Sequence, residues 1–545
     1  MRPWLWILPA FLIVAFGQPV HSVALSLVAS LCGYALFWKG MRLLPKTGHR
    51  FLLSWVFFTV VQCIQLSWMT SDRYQGAYIW VVWFILCLLM GGQFALLSLL
   101  LRGNRPLHWA QMLAVPALWC ISEWARLYFI SGFTWNPVGI ALSGTLWARQ
   151  LAALIGVYGL SFWVMLINVC MLRLLEEPLS LRRIAPATAV ALFPFAFGAA
   201  HIAYHTSGIH DGEEPFRAIL VQSGMSPTDR SGMVERDKMI HPLEQWKRLL
   251  ALVGTYRDKE VDVVLFPECV VPFEANQIAY EYGWAKRMLA ESLGAHFPVL
   301  TLDTPLGAEV HRYDQGKVWA VSNSFFCQTL AEALDADIVV GMDDSDEEGS
   351  YNSALRYTPG GNGKFDRYAK QILLPFSEII PGGEWARYLA SLYGIKCSFT
   401  PGKEVGVFPG KIPMGISVCY EETFTPIIWA QKRAGAEILL NVTNDGWFPN
   451  SSLPPQHFHH GRLRAVENGI PLLRACHTGI TAAVDSLGRT VGHLGEQEDF
   501  AGALYVEVPR YHHTTLYSLV GDGLPVGASL FFFLFYLAYP RPPRE

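Results

Sequence analysis

Three side chains with complementary chemistry stand at the ends of apolar runs. Ile416-Ser-Val418 reads as part of a buried strand, and Cys419 is the first residue past it, followed at once by Tyr420, Glu421 and Glu422. Val263-Val-Leu-Phe266 is a second such run, stopped by Pro267, which leaves Glu268 at its mouth. Tyr368-Ala-Lys370 precedes an apolar step, and Glu378 lies beyond Pro375. Open α/β sheets carry their ligands and chemistry outside the carboxyl ends of the strands. A thiol, a carboxylate and an ammonium at three such ends can supply a nucleophile, a general base and an oxyanion stabiliser. Each also has a plain structural reading. A Cys in an apolar strand is most often an inert small hydrophobe, and the charged residues, taken singly, read as surface groups or ion-pair partners. Cys269 is a rival thiol beside Glu268, but no ammonium or carboxylate motif follows it.

The elements that must hold these groups read as alternating strands and helices. Strands are predicted near 218–223, 261–266, 298–302, 337–340, 353–357, 412–418, 438–442, 481–485 and 504–508, with helices near 242–256, 284–293, 425–432 and 456–468. Strand, helix, strand is the pattern of an α/β layer with a largely parallel sheet. The acidic run Asp343, Asp344, Asp346, Glu347 and Glu348 reads as a solvated loop rather than a calcium site, since EF-hand spacing is absent. His457, His459 and His460 read as part of an amphipathic helix rather than a metal site.

The rest of the chain differs sharply in character. Of 545 residues, 52% are hydrophobic, 13% aromatic and only 16% charged, and the net charge of -3 suggests neither nucleic acid nor an acidic partner. The apolar excess is concentrated before residue 207 and after residue 514. Seven runs near 4–20, 23–38, 51–68, 77–101, 109–129, 151–172 and 184–204, and an eighth near 516–539, each approach the ~20 residues a bilayer crossing needs. Arg2 before the first run allows a signal peptide, but the spans that follow directly favour an uncleaved helix. Lys39, Arg42, Lys46, Arg50, Arg102, Arg105, Arg173, Arg182, Arg183, Arg541 and Arg544 fall in alternate loops, against Arg73, Arg126 and Arg149 opposite. Both termini are therefore expected in the cytoplasm and the middle block on the far side. The loop 131–139, rich in Gly, Pro and aromatics, is either an interfacial turn or a re-entrant segment. The expected division is 1–206, seven transmembrane helices; 207–514, a catalytic domain; and 515–545, an eighth helix with a short basic tail. The ten cysteines contain no CxxC pair in the middle block, which argues against a disulfide framework or zinc site.

Together the motifs resemble a known family. Phe266-Pro-Glu268, Tyr368-x-Lys370, Leu374-Pro-Phe-x-Glu378, Val418-Cys-Tyr-Glu421 and Asn444-Asp-Gly-Trp-Phe448 resemble the nitrilase superfamily. With the flanking spans the chain is similar to the apolipoprotein N-acyltransferases of bacterial inner membranes, and the similarity continues through Gln456-His457, Arg464-Ala-Val-Glu467, Pro471-Leu-Leu-Arg474 and Thr478-Gly479. The resemblance implies a polytopic α-helical membrane bundle plus an extracytoplasmic nitrilase-like α-β-β-α sandwich. It maps a catalytic trio onto Glu268, Lys370 and Cys419, with Glu378, Glu421 and Tyr420 in support. Ser377 stands where the family usually has Gly, and His477 where it usually has Asn.

The reaction so implied is ping-pong acyl transfer through a thioester on Cys419, from a phospholipid to the α-amino group of an apolipoprotein's N-terminal diacylglyceryl-cysteine. The expected partners are these two substrates and the bilayer, with no nucleic acid, no cofactor, no metal and a monomeric chain in the bacterial inner membrane, its catalytic domain periplasmic. A thiol of pKa ≈ 8.5 needs help at neutral pH, which Glu268 as base and Lys370 as counter-charge would give. Trp447, Phe448 and Phe424 are expected to shield the thioester from water. Two other readings follow from the same residues. One is a membrane-tethered amidase or nitrile hydrolase. The other is a transporter or receptor, which predicts opposed polar residues in mid-span, where Glu123 stands alone.

Overall fold

The computed structural model describes residues 2–71, 73–101, 107–129, 132–209, 214–231, 239–312, 316–375, 377–380, 385, 388, 399–495 and 500–539. Arg102, Arg105, Ser131, Phe376, Arg541 and Arg544, used above, lie outside them. The chain divides into two compact units, one of residues 1–208, 451–469 and 513–545, the other of residues 209–450 and 470–512.

In the first unit every predicted span is helical. The helices are Trp4–Ala15, Val23–Arg42, Thr47–Gln65, Tyr78–Ser98, Trp109–Ala125, Ala152–Glu176, Leu181–Ile209 and Gly523–Ala538. Among the described residues, four segments are long and apolar enough to cross a membrane: Val23–Arg42, Tyr78–Leu101, Ala152–Glu176 and Leu181–Ser207. The predicted eighth span is broken. Gly521, at φ 57, ends a short helix Leu516–Val520 before Gly523–Ala538 begins.

Polar groups inside this unit serve backbone that helix irregularities release. Val23–Arg42 contains a π-helical turn, Ala29–Gly33, and the buried Asn168 side chain meets it. Its Oδ1 accepts from Tyr34 N and Ala35 N at 3.0 Å each, while its amide donates to Ser30 O at 2.7 Å. Gly156, at φ 60, breaks Ala152–Glu176, and the N–H of Val157 donates to Glu467 Oε1 at 2.8 Å. Glu123, the lone mid-span acid, accepts at Oε1 from Trp119 Nε1 (2.7 Å) and Val138 N (2.8 Å), with Arg126 at 3.6 Å. It is thus occupied in fixing the loop behind it, which removes the feature that favoured a transporter. In that loop Trp135 and Asn136 are buried. Asn136 Nδ2 donates to Gln62 and Gln65 at 2.7 and 2.8 Å, so this stretch folds inward rather than forming an interfacial turn.

The helix Leu453–Asn468 also packs within this unit, although its polar composition reads as part of the middle block. Gln456 explains the difference. Its Oε1 accepts from Trp135 Nε1 at 2.7 Å and its amide donates to Gln65 O at 3.0 Å.

The second unit is an α-β-β-α sandwich. One six-stranded sheet has the order Gly502–Val508, Phe216–Gln222, Val263–Leu265, Asp337–Asp346, Gly349–Tyr357, Phe365–Ala369. The other runs Thr490–His493, Ala482–Val484, Leu472–Cys476, Ile438–Thr443, Met414–Val418, Val407–Phe408. Central strands are parallel and the edges antiparallel. Because side chains alternate along a strand, each strand of the first sheet faces two cores. Leu220, Val263, Leu265 and Val339 meet Ile416, Val418, Leu440 and Leu473 of the other sheet. Ile219, Val221, Val264 and Ile338 meet Trp246, Leu249 and Leu330 on the helices Pro242–Gly254 and Asn323–Leu334. Thr425–Arg433 packs beside Met414–Val418.

Two sequence expectations fail here. The acidic run is a solvated turn only at Glu347 and Glu348, since Asp343, Asp344 and Asp346 belong to the strand Asp337–Asp346, and Arg367 binds Asp344 and Asp346 at 3.0 and 2.7 Å. Residues 298–302 form no strand, and Val299 is 92% exposed, which leaves its β propensity without a core to serve.

Candidate active site

Glu268, Lys370 and Cys419 each follow the end of a strand, whereas Glu378 lies farther on, in the loop after Phe365–Ala369. Met414–Val418 ends at Val418, and Cys419 opens a 3₁₀ turn, Cys419–Thr423, with φ at 55°. A non-glycine residue in the left-handed region is strained by about 1–2 kcal/mol, and such strain clusters at functional sites. The turn is held by Glu421, whose Oε2 accepts from Val418 N at 2.8 Å and from Tyr368 Oη at 3.0 Å. Its other oxygen accepts from Gln371 N and Ile372 N at 2.6 and 3.0 Å. One carboxylate therefore clamps the thiol's turn to the backbone that follows Lys370. Burial raises its pKa, and the backbone donors and Lys370 oppose that rise.

Lys370 is 1% exposed and sits between two carboxylates. Its Nζ donates to Glu268 Oε1 at 3.2 Å and to Glu378 Oε1 at 2.8 Å. Burial by itself would lower the ammonium's pKa, but Glu268, Glu378 and Cys419 outweigh it and hold the pKa well above the usual lysine range. Burial pushes the Cys419 thiol the same way, upward, with Glu268 adding to the rise and Lys370 opposing it. The three groups thus act on one another electrostatically. A thiol so raised rests neutral, and could serve as a nucleophile only by losing its proton to a base.

Asn352 completes the cluster, and nothing in the sequence marks it. Its amide donates to Glu268 Oε1 at 2.8 Å and Glu378 Oε1 at 3.0 Å, while Lys370 N donates to its backbone carbonyl at 2.8 Å. Glu378 is fixed besides by the N–H of Leu374, 2.9 Å from its Oε2. His477, visible beforehand only as a departure from the usual Asn, bridges two strand ends. Its Nε2 lies 2.6 Å from Glu268 O and its Nδ1 2.6 Å from Ser223 Oγ. A carbonyl only accepts, so Nε2 carries the proton and Nδ1 accepts from the hydroxyl.

Gly341 lets the neighbouring strand approach Glu268. A Cβ there would lie 2.4 Å from Glu268 Cα and 2.6 Å from Pro267 O. Gly341→Ala is expected to shift the Glu268 peptide and cost about 1–3 kcal/mol of stability. Any reaction that relies on Glu268 should slow on the order of 10²-fold, since a 1 Å misplacement can cost that much. Steady-state rates beside a melting curve check it, and an unaltered rate would show that Glu268 needs no such placement.

Around the thiol, Arg474 is fully buried with Asp445 at 2.9 Å and Glu422 at 3.4 Å. Gly479, at φ 116, leaves room for Asp445, whose Oδ2 would lie 2.8 Å from any Cβ there. Arg474→Met is expected to destabilise this unit by about 3–5 kcal/mol, the cost of stranding buried partners, read as a lowered melting temperature. Of the predicted shielding residues, Phe424 is buried with its ring edge-on to Tyr420 at 5.1 Å, while Trp447 and Phe448 are half-buried just after Asp445. The rival Cys269 points its thiol at Asp343 Oδ1, 3.3 Å away. A carboxylate so placed favours the protonated sulfur.

Comparison with known proteins adds to this geometry. Residues 238–511 match the carbon-nitrogen hydrolase family, and residues 9–170 match the apolipoprotein N-acyltransferase N-terminal domain. The chain is 33% identical over 533 residues to the apolipoprotein N-acyltransferase of Chlamydia pneumoniae, covering 94% of this chain and 92% of that one. It is 26% identical over 506 residues to the apolipoprotein N-acyltransferase of Geobacter metallireducens, covering 90% and 82%. A crystal structure of Saccharomyces cerevisiae Nit3, from the nitrilase superfamily, aligns with 54% of this chain and 91% of its own at 18% identity and a TM-score of 0.35.

Proposed function

This chain belongs to the apolipoprotein N-acyltransferases, and from that premise we propose that Cys419, Glu268 and Lys370 carry its acyl transfer by a ping-pong route. The observation that carries the assignment is the buried Glu268–Lys370–Glu378 cluster acting on a strained thiol at a strand end. Cys419 Sγ attacks the ester carbonyl of a phospholipid acyl chain as Glu268 takes the thiol proton. The oxyanion of the tetrahedral intermediate forms beside the Lys370 ammonium, which is charged throughout the working pH range. Collapse breaks the ester C–O bond, Glu268 returns its proton to the departing lysophospholipid alkoxide, and a thioester remains on Cys419. The neutral α-amino group of the diacylglyceryl-cysteine then attacks the thioester. Glu268 takes a proton from that amine, the C–S bond breaks, and the thiolate regains a proton as the amide forms.

Glu378 and Asn352 hold Lys370 and Glu268 in register, and Glu421 holds the turn of Cys419. Tyr420, Phe424, Trp447 and Phe448 border the turn and its neighbouring loop, which suits exclusion of water from the thioester. The alternation of basic loops supports a multi-pass chain in the inner membrane, both termini cytoplasmic and the catalytic unit periplasmic. We take the chain to act as a monomer. Both substrates are lipid-anchored, and each CH₂ withdrawn from the bilayer costs ~0.8 kcal/mol, so a catalyst tethered at the membrane meets them where they reside.

The test is to incubate the purified full chain with acyl-labelled phospholipid and no acceptor. Label should appear on the Cys419 peptide as a hydroxylamine-labile adduct with release of lysophospholipid, and should chase onto a diacylglyceryl peptide amine. Label on Cys269, or turnover of small amides without any phospholipid adduct, would overturn the assignment.

A further inference from the structure

Away from the acyl-transfer site, the helical unit brings two imidazoles of one helix together with a third from a distant part of the sequence. His201 and His205 stand four residues apart on Leu181–Ile209, so they share one face, and His513 lies just ahead of the helix Leu516–Val520. One ring nitrogen from each lies within 4.8 Å of those of the other two. The ring centroids are 4.5 Å apart for His201 and His205, 3.9 Å for His205 and His513, and 5.4 Å for His201 and His513. We propose that these three residues form a binding site for a divalent transition metal of the zinc class, tying the far end of Leu181–Ile209 to the segment that leads into the last helices.

The second observation is how His201 is oriented. Its Nδ1 is 3.2 Å from Gln150 Oε1, and the amide of that fully buried Gln150 donates to Leu146 O at 3.0 Å. The Leu146 carbonyl can only accept, so the glutamine's NH₂ must face it and its oxygen must face the histidine. His201 therefore carries its proton on Nδ1 and offers the Nε2 lone pair. Metal-binding histidines are held this way, the second nitrogen donating to a carbonyl-type oxygen that fixes tautomer and ring orientation. The backbone of His513 is pinned as well, its N–H donating to Gly469 O at 2.9 Å. Zinc at ~2.0–2.1 Å from three nitrogens needs them about 3.4 Å apart, a closure that requires the stacked His205 and His513 rings to turn about their side-chain bonds. Imidazole is a preferred ligand of zinc, copper and nickel, and the fourth position would fall to solvent. The acyl transfer derived above uses no metal, so this site is a structural clip. His457, His459 and His460, the histidines conspicuous in the sequence, are not its ligands. They are carried on Leu453–Asn468, where His459 Nδ1 meets Ser143 Oγ at 3.1 Å.

The test uses full-length protein carrying a non-histidine tag, stripped with chelator and dialysed against buffered zinc. Wild type should retain one equivalent by mass spectrometry of the metal, and its melting temperature should rise with zinc. His205→Ala and His513→Ala should retain none at the same free zinc, Gln150→Ala should bind roughly 10- to 100-fold more weakly, and His459→Ala should match wild type. Cobalt supplied in place of zinc should give the intense visible bands of a tetrahedral site. That spectrum keeps the test decisive if a histidine variant does not fold. Zinc retention by wild type no greater than by the triple His201/His205/His513→Ala variant, equal titrations for Gln150→Ala and wild type, or an octahedral cobalt spectrum would each overturn the proposal and leave the rings a stacked cluster only.

Discussion

Cys419→Ala is expected to reduce acyl transfer by roughly 10⁴- to 10⁶-fold, the scale seen when the nucleophile of a covalent mechanism is removed, equivalent to about 5–8 kcal/mol of barrier. With the proposed nucleophile gone, the loss should fall on kcat and the label from phospholipid should vanish. Cys419→Ser differs in kind. Its hydroxyl is a far weaker acid, and a carboxylate base cannot readily remove that proton. Any adduct that forms would be an oxyester resistant to neutral hydroxylamine. Stability should move the other way. Because Cys419 has φ 55, Cys419→Gly relieves a left-handed residue of about 1–2 kcal/mol of strain, offset in part by the small packing loss. Cys419→Gly should therefore be inactive and at least as stable as Cys419→Ala. Parallel rate assays and melting curves decide this, and an active Cys419→Ala would transfer the chemistry to another group. Cys269→Ser should keep the acyl adduct.

How much of this was legible beforehand depends on the kind of information each feature needs. Glu268 and Cys419 stood out as candidates because a run of apolar residues followed by one reactive group is a local pattern, and Lys370 because it stands just ahead of an apolar step. An α/β layer with a largely parallel sheet was legible in the alternation of strands and helices, but the α-β-β-α sandwich came from the family resemblance, because strands such as Phe216–Gln222 are apolar on both faces, with Leu220 in one core and Val221 in the other. Asn352 was not, because its place beside Glu268 depends on cross-strand register with Asp343, set by the tight turn at Gly349. Gly341 and the left-handed Cys419 turn were hidden likewise, since a backbone dihedral and a close approach leave no signature in residue type. The helix Leu453–Asn468 misled for another reason. Polarity usually signals solvent, but here Gln456, Arg464 and Glu467 are polar because buried backbone and side chains need partners, as the Arg464–Glu467 contact at 2.7 Å illustrates. Leu472–Cys476 read as a motif rather than as the strand it is. His513 is separated from His201 and His205 by more than half of the chain, so only the fold brings the three together.

Lys370→Met is the second large effect, and it has two separable parts. Loss of one oxyanion-stabilising donor costs on the order of 10²–10³ in kcat. The substitution also leaves Glu268 and Glu378 facing a shared Asn352 amide with no cation between them. Two buried carboxylates so placed cannot both ionise easily, so one takes up a proton, and a protonated Glu268 is no base. The combined loss should exceed about 10³-fold. Removing one partner of a buried ionic group also destabilises by about 3–5 kcal/mol. The pH dependence follows from the signs. In wild type the Lys370 pKa is raised, so its contribution is present below the unfolded lysine value and fades only as pH climbs through the still higher folded one. In Lys370→Met the group that matters becomes a carboxyl with a raised pKa, whose proton the folded state favours. That variant should lose stability relative to wild type as pH rises from about 5 to 8. Lys370→Arg should not rescue it, because a planar fork cannot occupy the compact point where Nζ meets two oxygens at 3.2 and 2.8 Å. Activity within tenfold of wild type in Lys370→Met, or a stability difference flat across that pH range, would mean that the ammonium is a bystander to both the base and the oxyanion.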